Sequence, residues 1–442
     1  MQIFDNNNLS IHFIGIGGIG NSALAVYLKN LGFDVSGSDL TENETCNGLI
    51  ERGIKIFYGH REENVYGKDI VIYSSAIEEN NPELSFALKN KMAVYSRAQV
   101  LAMISEKYKV KIGVCGSHGK TTTCALITNI LKANDCRFTA FIGGFDLNYS
   151  NTCNFGDEIF LAEICEYKRN IDLFSCDISV LLNVDNDHLD CYKNYNDLKQ
   201  TFRSFYKRGK TRVINRDDSV LSTFKGSNIT FGTSEGDFHA KNVIQKKENL
   251  IFDVYQNNKK SFKANVKLLG VHNVYNVLAA VAVAKSLGIE NKVIVEGLKR
   301  FRGVKRRNEF LGRLCGATVY ADYAHHPKEI KKSITAYLND KSKSKIVFIF
   351  QPHTYSRTKL LFEDFVKAFA EVDNLFIYKT YPARESFNKE GDASTLSKSI
   401  PSSKYFEDVD KLMTELKKTV GKNDKIVILG AGDLYDIIKT KL

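Results

Sequence analysis

The chain has 442 residues, and at about 150 residues per domain it has room for some three domains, which excludes a single small binding module. Its make-up, 43% hydrophobic, 26% charged and 11% aromatic with 5 Pro and no Trp, is that of folded globular material rather than a disordered chain. The surplus of 62 Lys and Arg over 51 Asp and Glu, formally +11, favours anionic partners, yet no RGG, zinc-finger or helix-turn-helix pattern points to nucleic acid.

The amino terminus, Met1-Gln2-Ile3-Phe4-Asp5-Asn6, lacks the basic and apolar regions of a signal peptide, and no apolar run reaches membrane-spanning length. There are nine cysteines, none in a CxxC pair, and Cys115, Cys124, Cys136, Cys153, Cys165, Cys176 and Cys191 lie scattered through apolar runs, which fits reduced thiols in a cytoplasm rather than a disulfide framework. A soluble cytoplasmic protein with no membrane partner is the expectation.

Short β-branched runs alternate with helical patterns throughout, which predicts an α/β chain built on parallel sheets with crossover helices. The first unit opens with Ile11-His12-Phe13-Ile14, turns through Gly15-Ile16-Gly17-Gly18-Ile19-Gly20, and continues as a helix with Leu24, Tyr27, Leu28 and Leu31 on one face before Gly32. Strands are expected at 54–57 and 70–73. The polar stretch 105–109 marks a boundary. A second unit then starts with Val110-Lys111-Ile112-Gly113-Val114, carries apolar runs at 159–162 and 178–182, and closes with a helix presenting Val274, Val277, Leu278, Val281 and Ala284. Between them, 211–267 reads as an antiparallel excursion. A third unit begins near Phe310, with strands expected at 318–320, 346–350, 375–378 and 426–429, the last entering Gly430-Ala431-Gly432-Asp433. The domains expected are therefore 1–107, 108–309 and 310–442.

Two loops carry the chemistry. Gly15, Gly17 and Gly20 satisfy GxGxxG between a strand and a helix, with Gly18 inside the turn, so backbone N–H groups at the helix start can approach a diphosphate. Asp39, 24 residues beyond Gly15, stands about where an acidic ribose ligand would. The motif does not separate a dinucleotide from a sugar nucleotide, and plain tight packing also explains it. The second loop, Gly113 to Thr123, contains Gly116-Ser117-His118-Gly119-Lys120-Thr121-Thr122. It departs from the strict P-loop at Val114 but keeps its mechanics: backbone amides around phosphates, Lys120 toward the β- and γ-phosphates, and the Thr121 hydroxyl for Mg²⁺. Phosphoryl transfer needs further hard oxygen ligands at neighbouring strand ends, and the two apolar runs end at Glu163, with Glu166 beyond it, and at Asn183-Val184-Asp185-Asn186-Asp187-His188. On residues alone, His188 binds a second metal, orients a phosphate, or is structural.

These blocks resemble the Mur ligase family over essentially the whole chain. Ser74-Ser75-Ala76-Ile77 and Asn80-Asn81-Pro82-Glu83-Leu84 after the first glycine loop are similar to the family's UDP-binding domain, and Gly116 to Thr122 to its own P-loop variant. Glu163-Ile164-Cys165-Glu166-Tyr167 with Asn183 and Asp187-His188 resembles its metal-site strands. Gly270-Val271-His272-Asn273-Val274-Tyr275-Asn276 is similar to its adenine segment and Gly303-Val304-Lys305-Arg306-Arg307 to its hinge. Asp322-Tyr323-Ala324-His325-His326-Pro327 and Phe350-Gln351-Pro352-His353-Thr354-Tyr355-Ser356-Arg357-Thr358 resemble its third-domain blocks. Ala321 stands where a second aspartate is usual and Thr354 where many members have Arg, while Lys199 and Arg203 offer no clear counterpart to the carbamylated lysine of sister enzymes.

The resemblance implies a three-domain architecture with Rossmann-like first and third domains around a P-loop ATPase domain. It implies an ATP-dependent enzyme that attaches L-alanine to the lactyl carboxylate of UDP-N-acetylmuramate through an acyl phosphate, in peptidoglycan precursor synthesis and so in cell-wall biogenesis, shape and division. Implied for catalysis are Lys120, Glu163, His188 and Arg357, and for the metal, Mg²⁺ or Mn²⁺, Thr121, Glu163 and His188. For ATP they are Gly116 to Thr122 with Asn273, Arg307 and Asp322; for the UDP-sugar, Gly15, Gly17, Gly18, Gly20, Asp39, Ser74 and Ser75. A monomer or homodimer is expected. The nearest alternatives are a ligase that attaches a murein peptide and a nucleic-acid-stimulated P-loop ATPase.

Overall fold

A strand buried along nearly its whole length must be covered on both faces, and the first, Ser10–Ile14, is buried at four of its five positions. In the computed structural model, which describes residues 7–148, 152–153, 155–185, 191–246, 248–339, 344–383 and 385–442, it is the centre of a five-stranded sheet. The order is Lys55–Tyr58, Asp34–Asp39, Ser10–Ile14, Ile70–Tyr73, Ala93–Ser96, and every pairing is parallel. Chain order reverses at Ser10–Ile14, so its carboxyl end and that of Ile70–Tyr73 flank a topological switch point, where open parallel sheets bind ligands. Helix Ile19–Asn30 leaves through the glycine turn and is followed by Gly32 at φ 94°, as the periodicity predicts.

The second sheet has ten strands. Val110–Cys115 lies between Ile178–Leu181 and Ile159–Glu163, parallel to both, so three carboxyl ends converge beside the second loop. The antiparallel excursion expected over 211–267 is narrower than the sequence suggests. Thr211–Asn215 and Ile229–Gly232 extend the parallel ladder, and Phe238–Lys246 also joins in parallel. Val213, Ile214 and Asn215 are buried consecutively, as a covered parallel strand requires. The chain reverses only after Phe238–Lys246, into its neighbour Asn249–Gln256 and again into Lys259–Lys267 through Asn257 and Asn258 at φ 48° and 63°, the left-handed pair of a two-residue hairpin turn.

Two compact units emerge, one of residues 1–242, 252–265 and 274–302 and one of 243–251, 266–273 and 303–442. The second carries a six-stranded sheet in the order Glu309–Leu314, Ala317–Asp322, Lys425–Leu429, Ile346–Phe350, Leu375–Tyr378, Ser403–Phe406, parallel except for its first member. Its period of two is visible in the cores: Val347, Ile349, Ile426 and Ile428 join one cluster, whereas Phe348, Phe350, Val427 and Leu429 join another on the opposite face. Among the described residues no helix is long and apolar enough to cross a membrane, and Cys46, Cys115, Cys124, Cys136, Cys165, Cys176, Cys191 and Cys315 are free thiols.

Candidate active site

At the first switch point the glycine loop is held by its own strand ends. Gly15 sits at φ 75°, a conformation that favours glycine, and the Gly15 and Ile16 N–H groups donate to the Ser38 carbonyl at 2.9 Å. Asp39 accepts from the Gly17 N–H and the Leu40 N–H, both at 2.8 Å, so this carboxylate holds the loop as well as facing its mouth. Gly18 caps the helix without a side chain, leaving its first N–H groups open to an anion. From the adjoining strand end, Ser74 Oγ comes within 3.3 Å of where a Gly15 side chain would begin. The Ser75 carbonyl accepts from Lys168 at 2.9 Å, tying this loop to the segment after Glu163.

The second loop runs from Cys115 into helix Lys120–Ala133, with Gly116 at φ 150° and Gly119 at φ 88°. Asn183, at the end of the neighbouring strand, clamps it. Its Oδ1 accepts from the His118 N–H at 2.8 Å, its Nδ2 donates to the His118 carbonyl at 2.9 Å, and its own carbonyl accepts from the Ser117 N–H at 3.1 Å. Asp185 faces His118 at 3.4 Å. Lys120 donates to both Glu166 oxygens, at 3.1 and 3.3 Å, and to the Gly116 carbonyl. Burial alone would lower its pKa, but Glu166, with Glu163 behind it, reverses the direction and holds the ammonium charged. The Thr121 hydroxyl donates to Glu163 Oε2 at 2.8 Å, and the Gly143 N–H donates to the same oxygen at 3.1 Å. A side chain at Gly143 would collide with that carboxylate, 2.5 Å from an added Cβ. Thr122 is buried in the helix's first turn. His188 and Asp187 lie outside the described residues.

Helix Asn273–Ser286 contributes an asparagine that the motif reading left without a role. Asn276 Oδ1 accepts from Thr123 Oγ1 at 3.3 Å and would meet a Gly119 side chain 2.4 Å from its Cβ, so it abuts the phosphate loop. The expected adenine residue, Asn273, donates to the Leu269 carbonyl at 2.8 Å. They stand at i and i+3, the spacing that puts two side chains on one helix face, and that spacing is the signal that could have singled out Asn276.

In the second unit, Asp322 is buried, accepting from Ser333 Oγ at 2.9 Å and the Ala324 N–H at 3.2 Å. Burial raises its pKa and the charge of Arg307 opposes that. Arg307 lies over the Tyr323 ring at 5.3 Å. Arg357 Nη1 donates to His353 Nδ1 at 3.2 Å; a guanidinium can only donate, so that imidazole carries its proton on Nε2. Burial, His325 and Arg357 push the His353 pKa down to about 4. Gln351 joins the block to the glycine turn, accepting from the Leu434 N–H at 3.0 Å and donating to Asp433 at 2.8 Å.

Three sequence patterns of one family match the chain: "Mur ligase family, catalytic domain" over residues 10–109, "Mur ligase middle domain" over 114–284 and "Mur ligase, glutamate ligase domain" over 306–432. The chain is 39% identical over 441 residues to the UDP-N-acetylmuramate–L-alanine ligase of Clostridium acetobutylicum, covering 97% of this chain and 96% of that protein. It is 40% identical over 444 residues to the enzyme of the same name from Caldicellulosiruptor saccharolyticus, covering 96% of each. The crystal structure of the UDP-N-acetylmuramate–alanine ligase of Thermotoga maritima is similar at a TM-score of 0.86 and 28% identity over 98% of both chains. A murein peptide ligase from Psychrobacter arcticus shares the fold at a TM-score of 0.75 and 22% identity, again over 98% of both. With three sheets bearing the motifs in matching order and family patterns spanning most of its length, the chain belongs to the Mur ligase family.

Proposed function

We propose that this chain is the ATP-dependent ligase that joins L-alanine to the lactyl carboxylate of UDP-N-acetylmuramate, releasing ADP and phosphate, as a cytoplasmic step of peptidoglycan precursor synthesis. The observation that carries the reading is the presence of two phosphate-approach loops at the carboxyl ends of two separate parallel sheets, the second alone equipped with a lysine and paired oxygen donors. A nicotinamide enzyme would need only the first loop, and a nucleic-acid-stimulated ATPase only the second. The relatives bearing the alanine-ligase name support single-amino-acid specificity over attachment of a peptide.

A carboxylate is a poor electrophile, so the γ-phosphoryl group is first transferred to the lactyl carboxylate. That transition state chiefly needs alignment and charge neutralisation, which Lys120 and the amides of Gly116 to Thr122 provide. The Thr121 hydroxyl and Glu163 carboxylate, 2.8 Å apart, are hard oxygen donors suited to Mg²⁺, with Mn²⁺ as a substitute. When bound there, that ion supplies positive charge beside the transferring phosphoryl group, and His188 is assigned as a further ligand. Glu166 must yield Lys120 to the nucleotide. The amine of alanine then attacks the acyl carbon, the phosphate leaves with the electron pair of the C–O bond, and the ammonium proton passes to solvent.

Arg357, oriented by His353, is assigned to the alanine carboxylate, and Asn273, Arg307 and Asp322 to the nucleotide. Gly15, Gly17, Gly18, Gly20, Asp39, Ser74 and Ser75 are assigned to the UDP-sugar. We assign the jobs to segments 1–107, 108–309 and 310–442 in that order: sugar nucleotide, ATP and metal, amino acid and closure against water.

The test is ADP release with UDP-N-acetylmuramate, Mg²⁺ and, in parallel, L-alanine, glycine, L-serine or the murein tripeptide. Turnover with L-alanine is expected; none above background with any of the four acceptors overturns the reading. Lys120→Ala should abolish turnover while sparing UDP-sugar binding by calorimetry, since the two loops belong to different sheets.

A further inference from the structure

The third glycine of a GxGxxG turn ordinarily lets helix and strand approach closely. Here the space beside Gly20 is filled by an arginine. An added Cβ would lie 2.9 Å from Cδ, Nε and Cζ of Arg97, so the guanidinium rests against the first turn of helix Ile19–Asn30. Arg97 follows the edge strand Ala93–Ser96 and starts helix Arg97–Ser105, whose first turn is pinned by a capping box between Ser96 and Gln99. The position of its backbone is therefore set by two independent elements.

Its electrostatic surroundings are just as specific. Cys165 and Glu163, beyond and at the end of the strand that serves the phosphate loop, belong to its electrostatic surroundings. Enough protein surrounds it that burial lowers its pKa, although it keeps partial exposure. Among the described residues it makes no hydrogen bond and no ion pair. A guanidinium is charged at every physiological pH, and enclosing one with no hydrogen-bonded anion is costly. That cost is removed when a ligand brings the anion.

We propose that Arg97 is a binding residue of the sugar-nucleotide site, its planar fork taking one phosphate of the diphosphate in a bidentate contact beside the N-terminus of helix Ile19–Asn30. This rests on the sugar-nucleotide reading of the first loop and adds a residue outside the glycine motif. Gly20 then serves to leave room for the guanidinium.

The experiment is titration calorimetry of UDP and of ADP on the full chain. Arg97→Ala should weaken UDP about tenfold, ~1.4 kcal/mol, and leave ADP unchanged. Arg97→Lys should fall between, since it keeps the charge and loses the fork. Gly20→Ala, which displaces only the flexible end of Arg97, should weaken UDP in the same direction. UDP affinity within twofold of the parent in Arg97→Ala overturns the proposal. So does joint loss of UDP and ADP binding with a lowered Tm, which marks a structural role. Weakening confined to UDP-N-acetylmuramate, with UDP and UDP-N-acetylglucosamine unaffected, overturns it in favour of the lactyl carboxylate. If the parent binds no UDP at all, the sugar-nucleotide reading itself falls, and the proposal with it.

Discussion

Lys120 cannot serve a phosphate and Glu166 at once, and on the proposed function its contacts of 3.1 and 3.3 Å to that carboxylate make Glu166 the competitor of the nucleotide. Replacing the charge while keeping the shape, Glu166→Gln should therefore tighten ADP binding severalfold in calorimetry without UDP-sugar; unchanged or weaker binding would refute the competition. His353 offers a pH test. Its pKa in the fold, about 4 against an ordinary 6.5, means that the folded state binds fewer protons between those values. The stabilisation is thus present above pH 6.5 and lost as pH falls toward 4. The Tm of the parent should drop more steeply across that window than that of His353→Asn. Of these residues, Lys120 was legible from its motif. Glu166 was visible only as part of a block, because nothing in one dimension says which of two carboxylates faces a lysine.

At the scale of elements, the first sheet is locked by a buried acid. Glu83, in the first turn of helix Pro82–Lys89, is fully buried and accepts from Ser38 Oγ and Asn64 Nδ2 at 2.6 Å, with His60 at 3.4 Å and His12 at 3.5 Å. Burial would raise its pKa, yet hydrogen bonds from His12, His60, Ser38 and Asn64 depress it well below the carboxylate range. Glu83→Ala leaves those donors unpaired and should cost ~3 kcal/mol in denaturant unfolding; a loss under ~1 kcal/mol would show that the network is no more than a surface-grade interaction. The strands that carry this frame were legible wherever β-branched residues run consecutively, as at Ile70–Tyr73. The edge strands Glu309–Leu314 and Ser403–Phe406 were not, because half-exposed edges break the apolar run.

For the whole molecule, the proposed function sets the +11 charge against two polyanionic nucleotides. Raising NaCl from about 50 to 500 mM shrinks the screening length from roughly 14 to 4 Å, so KM for both nucleotides should rise severalfold while kcat changes less; salt-independent KM values would leave the basic surplus as inert surface.

The succession of three α/β sheets and the two glycine loops between strand and helix were legible in the sequence itself, and Lys120, Thr121 and Glu163 are expected there from their motifs. Local rules suffice for them: apolar period reports sheet or helix, and glycines beside a strand end report a turn that admits phosphate. The tertiary structure alone decided which distant groups meet. Asn183 clamps His118 from 65 residues away, Asn276 reaches Thr123 from 153, and Arg97 lies against Gly20. The physical reason is sheet order: strands adjacent in space need not be adjacent in sequence, as where Val110–Cys115 lies between Ile178–Leu181 and Ile159–Glu163, and a side chain's partner is set by that adjacency rather than by its own neighbours along the chain.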